Sequence, residues 1–159
     1  MKTLVAYYTR TGHTKKAGDE MAKALGADFE EVIDTRNRSG VLGYINAGRD
    51  ASLGISAIIR PIAKNPADYD LVIVGTPVWA FTLTPAIRTY LSENRERFKK
   101  IAFYCTFDGS GGEPTFRAME DVSGKTPAAT LELTRGEIVN GEYIGKVRDF
   151  AEGLNSKPE

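Results

Sequence analysis

The 159-residue chain has one cysteine, one tryptophan and one histidine, and it has no excess of charge: 21 lysines and arginines face 21 aspartates and glutamates. Each scarcity removes a class of explanation. A lone Cys105 cannot form an intramolecular bridge. A chain of this length buries roughly two thirds of its extended surface, so neither disulfides nor a structural metal is needed to hold a core. Zero formal charge gives no field for nucleic acid or an anionic membrane. No apolar run approaches the roughly 20 residues of a membrane helix. The first residues lack the charged start, apolar stretch and small-residue cleavage site of a secretory signal. These absences predict one domain over residues 1–159 in a reducing cytosol, with no nucleic-acid partner and no membrane insertion.

What is present is alternation. Short β-rich apolar runs at 3–8, 29–34, 71–75, 101–106 and 128–133 alternate with helically spaced segments at 15–25, 85–96, 114–122 and 142–154. The runs "LVIVG" and "IAFYCT" are apolar without a break, as strands covered on both faces read, so they are expected in the middle of a sheet. The more polar "EEVID" suits an edge. In the last segment Tyr143, Val147, Phe150 and Leu154 line one helical face, with Lys146, Asp149 and Glu152 opposite. Five strands alternating with at least four helices imply an α/β domain, a parallel sheet with right-handed crossovers. The least regular stretch is 36–69. Within it Val41, Leu42, Ile45 and Ala47 are compatible with a helix; the remainder is either a plain surface crossover or a functional excursion.

The chemistry concentrates where strands end. "YYTRTGHTKK", residues 7–16, leads from the first strand into a helix through Thr9, Arg10, Thr11, Gly12, His13 and Thr14. The first-turn amides of a helix have no partners within it and carry the positive end of its dipole. Gly12 lets the backbone approach a ligand or take positive φ. Three uncharged hydroxyls add short donors, and together these make an anion cradle suited to phosphate. The competing reading is ordinary capping by Thr11 or Thr14. Spacing excludes a nucleotide P-loop: Gly12 is followed five positions later by Ala17, and "SGKT" at 123–126 would need its first glycine at Met119. That stretch reads as a helix end with Gly124 as left-handed cap. "GSGGEP" at 109–114 lacks the third glycine of a dinucleotide fingerprint.

Two further loops leave the carboxyl ends of strands, where ligands of open α/β sheets bind. "GTPVWAFTLTP" puts Trp79 beside Phe81, an apolar wall for a flat aromatic partner. "TFDGSGGEP" follows the fourth strand, with Phe107, Asp108 and the glycines offering backbone donors and acceptors. A phosphate seat, an apolar wall and a hydrogen-bonding edge on one rim describe a phosphorylated planar heterocycle. The alternatives are that Trp79 packs in the core and that the glycines form a mobile turn.

These loops resemble those of the flavodoxin-like proteins that bind flavin mononucleotide (FMN), in the short-chain form. The resemblance rests on "TRTGHT", "VGTPVWAFTLTPAIRTYL" and "TFDGSGG", and spans nearly the whole chain. It implies a three-layer sandwich with a five-stranded parallel sheet in the order 2-1-3-4-5, and FMN as cofactor. It implies that Thr9, Thr11 and Thr14, with the amides of Arg10, Gly12 and His13, hold the phosphate. Trp79 and Phe107 become candidates for ring contact. The backbone of Thr76, Pro77, Val78, Ala80 and Phe81, and of Thr106, Asp108, Gly109, Gly111 and Gly112, would meet the polar edge of the ring. The chemistry implied is redox through the ring, with no catalytic acid or base required.

Other residues have blander expectations. Asp108 either faces the ring or is a solvated loop residue, Cys105 is a core residue, and His13 offers its amide with its ring in solvent. Electron carriers of this family are usually acidic and often have glycine just past the ring-stacking residue. This chain is neutral, with Arg10, Lys15 and Lys16 around the phosphate loop and with Ala80 and Phe81 after Trp79. A β-carbon disfavours positive φ, so a two-electron preference is expected. Three functions stay open: an electron-transfer flavoprotein serving a redox partner; an FMN-dependent reductase of a quinone or similar acceptor using NAD(P)H; and a flavin-free scaffold of the same topology. A receiver domain would need acidic residues where Tyr8 and Thr9 stand, and a low-molecular-weight phosphatase an arginine at Gly111. Tyr44 and Arg49 are candidates to reach over the ring if the 36–69 excursion is a lid.

Overall fold

The computed structural model describes residues 1–36 and 40–156, the side chains of Val41 and Tyr44 excepted. The proposed reach of Tyr44 over the ring, and the last three residues of the expected domain, lie outside the described residues. Five parallel strands form one sheet: β1 (Thr3–Tyr7), β2 (Asp28–Glu31), β3 (Leu71–Pro77), β4 (Ile101–Phe107) and β5 (Thr130–Thr134). Their order across the sheet is β2-β1-β3-β4-β5, as the resemblance implied.

Helices cover both faces, which is why the central strands show no alternation. On one side Leu4, Ala6, Val72, Val74, Phe103 and Cys105 pack with Ile87 and Tyr90 of α3 (Pro85–Glu93) and Phe116 of α4 (Gly112–Ser123). On the other, Val5, Tyr7, Ile73 and Tyr104 meet Ala17 and Met21 of α1 (His13–Leu25) and Val147 and Leu154 of α6 (Tyr143–Ser156). Tyr143 and Phe150 join that layer at its edge, so the expected face of the last helix is the buried one.

Glycine sets how closely α1 lies on the sheet. A β-carbon at Gly75 would stand 2.0 Å from the Tyr104 ring, and one at Gly18 2.7 Å from both Tyr104 and Tyr7. The Tyr104 ring fills the space those two glycines leave, and its hydroxyl donates to the Thr14 carbonyl at 3.0 Å. A buried tyrosine thereby fixes the floor of the loop that precedes α1.

Several boundaries move from their expected places. β2 ends at Glu31, and Asp34 instead bridges to Ile59, because the chain turns outward into the excursion. β5 runs Thr130–Thr134, although the amide of Ala128 already bonds the carbonyl of Ile101. α3 stops at Glu93, where a 3-10 turn, Arg95–Arg97, takes over from the expected helix. The excursion contains α2 (Gly40–Ser52), with Ala47 and Ala51 buried. A short helix absent from the expectation, α5 (Arg135–Asn140), follows β5 directly. Its signal was in the sequence: "TRGE" is a capping box in which Thr134 and Glu137 exchange side-chain-to-amide bonds. Gly124 ends α4 in the left-handed region, as expected.

Candidate functional site

The loop after β1 is shaped by its own hydroxyls. Gly12, at φ 95°, is the N-cap of α1, and no side chain caps that helix, so the capping reading of Thr11 and Thr14 does not hold. The Gly12 amide donates to Thr9 Oγ1 at 3.0 Å, closing the turn that aims the first-turn amides outward. α1 begins at His13, two residues before the expected start, so His13, Thr14 and Lys15 supply the donors that a helix cannot satisfy itself. Thr14 Oγ1 lies 2.7 Å from Thr106 Oγ1, and both residues are buried. Thr11 Oγ1 is exposed, 3.4 Å from His13 Nδ1. Thus Thr9 and Thr14 hold the loop in shape, while Thr11 faces outward.

One cavity of about 590 Å³ opens above this loop. Arg10, Thr11, His13 and Thr14 form one end. Pro77, Val78, Trp79 and Ala80 form an apolar side, and Thr106, Phe107 and Asp108 come from the end of β4. Its volume falls in the range of about 300–1,000 Å³ usual for small-molecule sites. Trp79 stands edge-on to Tyr8, ring centroids 5.4 Å apart, so its ring is held from behind by a residue of the first loop.

The other expected residues support this wall without lining it. Thr76 is buried; its Oγ1 accepts from the Thr84 amide at 3.2 Å and donates to the Pro77 carbonyl at 2.9 Å, which ties the two ends of the aromatic loop. Gly111, at φ 110°, is the N-cap of α4, and a β-carbon there would stand 2.9 Å from Val78 Cγ1. Gly112 is buried in the first turn of α4, facing Glu132, and a β-carbon at Gly109 would point into open space. Thr9 borders a second, shallower hollow of about 490 Å³, shared with Tyr8, Asp34 and Arg36. Phe81 is 64% exposed and does not border the cavity whose wall it was expected to form.

Three features differ from expectation for physical reasons. Ala80 and Phe81 both take positive φ, 50° and 62°, despite their β-carbons. They are the two central residues of a turn closed by Trp79 and Thr82, which exchange amide-to-carbonyl bonds of 3.0 and 3.1 Å. A two-residue turn of this hand needs positive φ at both central positions. His13 lines the cavity, half-buried, where its ring was expected in solvent. Cys105 is fully buried and burial, then Glu132, push its thiol far up, which fits the core role expected of it.

The excursion supplies a wall that sequence reasoning left open. Ile45, Gly48 and Arg49 lie on one face of α2, at i, i+3 and i+4, and border the cavity with Ala47. α2 is attached to the phosphate loop where Arg10 donates to the Gly40 carbonyl at 3.2 Å. Arg135, at the start of α5, completes the rim, 3.9 Å from Asp108. Ile45 and Arg135 were missed because nothing in their local sequence places them near residue 79.

The residues present fit the cofactor that the resemblance implies. Donors for a phosphate sit at one end of the cavity and an apolar aromatic wall at its side. Among the described residues no group of three potential metal ligands occurs, and no helix is long and apolar enough to cross a membrane.

Similarity to known proteins agrees with this geometry. A crystal structure of a Lactobacillus acidophilus flavoprotein in complex with FMN matches at 20% identity and a TM-score of 0.74, over 87% of this chain and 97% of the other. A protein from Bacteroides eggerthii matches at 20% identity and a TM-score of 0.78, over 98% and 99%. Oxidised flavodoxin 2 of Bacillus cereus matches at 18% identity and a TM-score of 0.61, over 99% and 100%. The flavodoxin family model matches residues 2–152, and the chain belongs to the flavodoxin family.

Proposed function

We propose that this protein binds FMN and passes electrons through it. The observation that carries the reading is the single cavity running from the first turn of α1 to the aromatic loop after β3. In it the amides of His13, Thr14 and Lys15 and the hydroxyl of Thr11 would hold the phosphate, and Val78 and Trp79 would wall the ring. Backbone groups at 76–81 and 106–112 would meet its polar edge. When bound, the cofactor supplies the redox chemistry, and the chain tunes it by contact and nearby charge. Titration of flavin-free protein with FMN, followed by quenching of flavin fluorescence, tests this. Saturation at micromolar or lower concentration is expected, and no binding at that level overturns it.

A second reading, a reductase of a small acceptor rather than a carrier for a protein partner, has its own support. A carrier needs its ring open to a partner, whereas α2 brings Ile45, Gly48 and Arg49 against the cavity. The chain also has no net charge for electrostatic docking of the kind acidic carriers use. Anaerobic mixing of the FMN-loaded protein with NADH or NADPH separates the two. Prompt bleaching of the flavin supports the reductase, and no bleaching over minutes supports the carrier, working in the cytosol with a redox partner protein.

A further inference from the structure

A second hollow opens beside the cavity, on the β2 side of the phosphate loop. Its volume, about 490 Å³, is again that of a small-molecule site. One wall is the loop leaving β1, residues 8–11, and the facing wall is the segment leaving β2, residues 31–34. β1 and β2 are parallel neighbours, with Tyr7 paired to Glu31 and the Val32 amide bonded to the Tyr7 carbonyl at 2.8 Å. The hollow is therefore the slot that opens where these two strands part. Arg10 and Thr11 line both the slot and the cavity. A phosphate held by Thr11 and the first turn of α1 is thus the slot's neighbour.

The two walls offer complementary groups. Arg10 brings a guanidinium to the side shared with the cavity, where its bond to the Gly40 carbonyl at 3.2 Å fixes its place. A guanidinium carries five N–H donors and can serve a carbonyl and an oxyanion together. On the facing wall Ile33 is half-buried and apolar, and Glu31 is exposed. Asp34, on the same wall, turns its carboxylate to its own chain, accepting from the Arg36 amide at 2.8 Å. Glu31 is the last residue of β2. In nucleotide-binding βαβ units an acid near this place, about 20 residues beyond the glycine of the first loop, accepts from a ribose hydroxyl. "TRTGHT" has one glycine where that fingerprint has three, so the position of the acid is what the two arrangements share.

We propose that this slot binds an adenylate, the adenosine 5′-phosphate half of a dinucleotide, with its phosphate on Arg10, its ribose hydroxyls on Glu31 and its base along Ile33. The inference rests on the FMN reading, because it seats the adenylate beside the phosphate of the bound flavin. Two kinds of molecule carry that half. FAD would extend into the slot from its own flavin phosphate, and a nicotinamide dinucleotide would reach it across the loop from the cavity. A 2′-phosphate would put like charge against Glu31, so the site favours an unesterified ribose.

The test is calorimetric titration of the FMN-loaded protein with AMP, 2′-deoxy-AMP and adenosine. AMP is expected to saturate at or below about a millimolar. Adenosine and 2′-deoxy-AMP are each expected to bind about tenfold more weakly, the scale of one hydrogen bond to a charged group. E31A should erase the difference between AMP and its deoxy form and keep that between AMP and adenosine. R10Q, measured at saturating FMN, should do the reverse. Two further arms name the source. FAD binding flavin-free protein severalfold more tightly than FMN assigns the adenylate to the flavin. NAD+ displacing AMP from the FMN-loaded protein, with NADP+ weaker, assigns it to a nicotinamide donor. AMP binding with neither result overturns the dinucleotide assignment. No heat from AMP at several millimolar, or equal affinity for AMP and 2′-deoxy-AMP, overturns the inference while FMN quenching still reports a folded, cofactor-binding protein. Protein that refuses FMN overturns the reading beneath it as well. Glu31 is exposed, so E31A is expected to fold.

Discussion

Thr14 and Thr106 share a hydrogen bond of 2.7 Å between their hydroxyl oxygens, joining the first turn of α1 to the end of β4. Both are nearly excluded from water, at 2% and 5% exposure. The phosphate end of the cavity and the edge beneath Phe107 are thus fastened to each other, not merely to the sheet. Removing one hydroxyl leaves its partner buried without a substitute, so T14V and T106V should each cost about 1–2 kcal/mol. The double variant should cost less than the two together, because no orphan remains. Urea unfolding of the four proteins measures the coupling; additive costs would show that the bond contributes nothing.

The turn at Ala80 and Phe81 holds backbone strain beside the cavity. A left-handed residue with a β-carbon costs roughly 1–2 kcal/mol, while glycine loses about 0.5–1 kcal/mol through the freedom of the unfolded chain. The first term is larger, so A80G should stabilise the protein by about 0.5–1 kcal/mol. A80V should destabilise it, since a branched β-carbon fits this region worst. The urea midpoint, read at unchanged slope, checks both; a lower midpoint for A80G would remove the strain argument.

Two glycines that look alike in sequence should behave differently. At Gly75 a β-carbon would meet the ring of fully buried Tyr104 at 2.0–2.4 Å, with no room for either to move. G75A should therefore cost about 3 kcal/mol or more, or prevent folding. At Gly112 the nearest atoms, from 2.2 Å, belong to the Glu132 side chain, which is exposed and can swing aside. G112A should cost under about 1 kcal/mol, helped by the helix preference of alanine over glycine. Thermal melts of the pair decide, and similar losses at both positions would refute the contrast.

Glu137 gives a pH dependence with a definite sign. Its side chain accepts from Lys146 Nζ at 2.9 Å and from the Thr134 amide at 2.9 Å, and these bonds, Lys146 foremost, lower its pKa. A carboxyl whose folded pKa is depressed stabilises the fold above the unfolded value and loses that contribution as pH falls through the folded one. E137Q should be less stable than the parent by about 0.5 kcal/mol near neutrality, a small effect because the pair is partly exposed. The gap should close between about pH 5 and pH 3. Denaturation at several pH values tests it, and a gap that widens on acidification would contradict the assignment.

Much of this was legible in the residues themselves. Unbroken apolar runs at β3 and β4 announced strands covered on both sides, and the spacing of Tyr143, Val147, Phe150 and Leu154 announced the inner face of α6. "TRTGHT" between a strand and a helix announced donors aimed at an anion, because first-turn amides and a positive-φ glycine are local properties. These are features that neighbours in sequence carry by themselves.

Tertiary structure decided the rest. It turned Thr9 and Thr14 inward as struts, since a hydroxyl bonds whatever the fold brings within reach, here Gly12 and Thr106. It forced Ala80 and Phe81 into a conformation their β-carbons resist, because Trp79 and Thr82 pair across them. It also carried Arg49 and Arg135, 86 positions apart in number, to the border of one cavity. Periodicity and local motifs report only what neighbours in sequence do. Which far-apart side chains share a wall depends on strand order and helix placement, and those are set by the packing of the whole core.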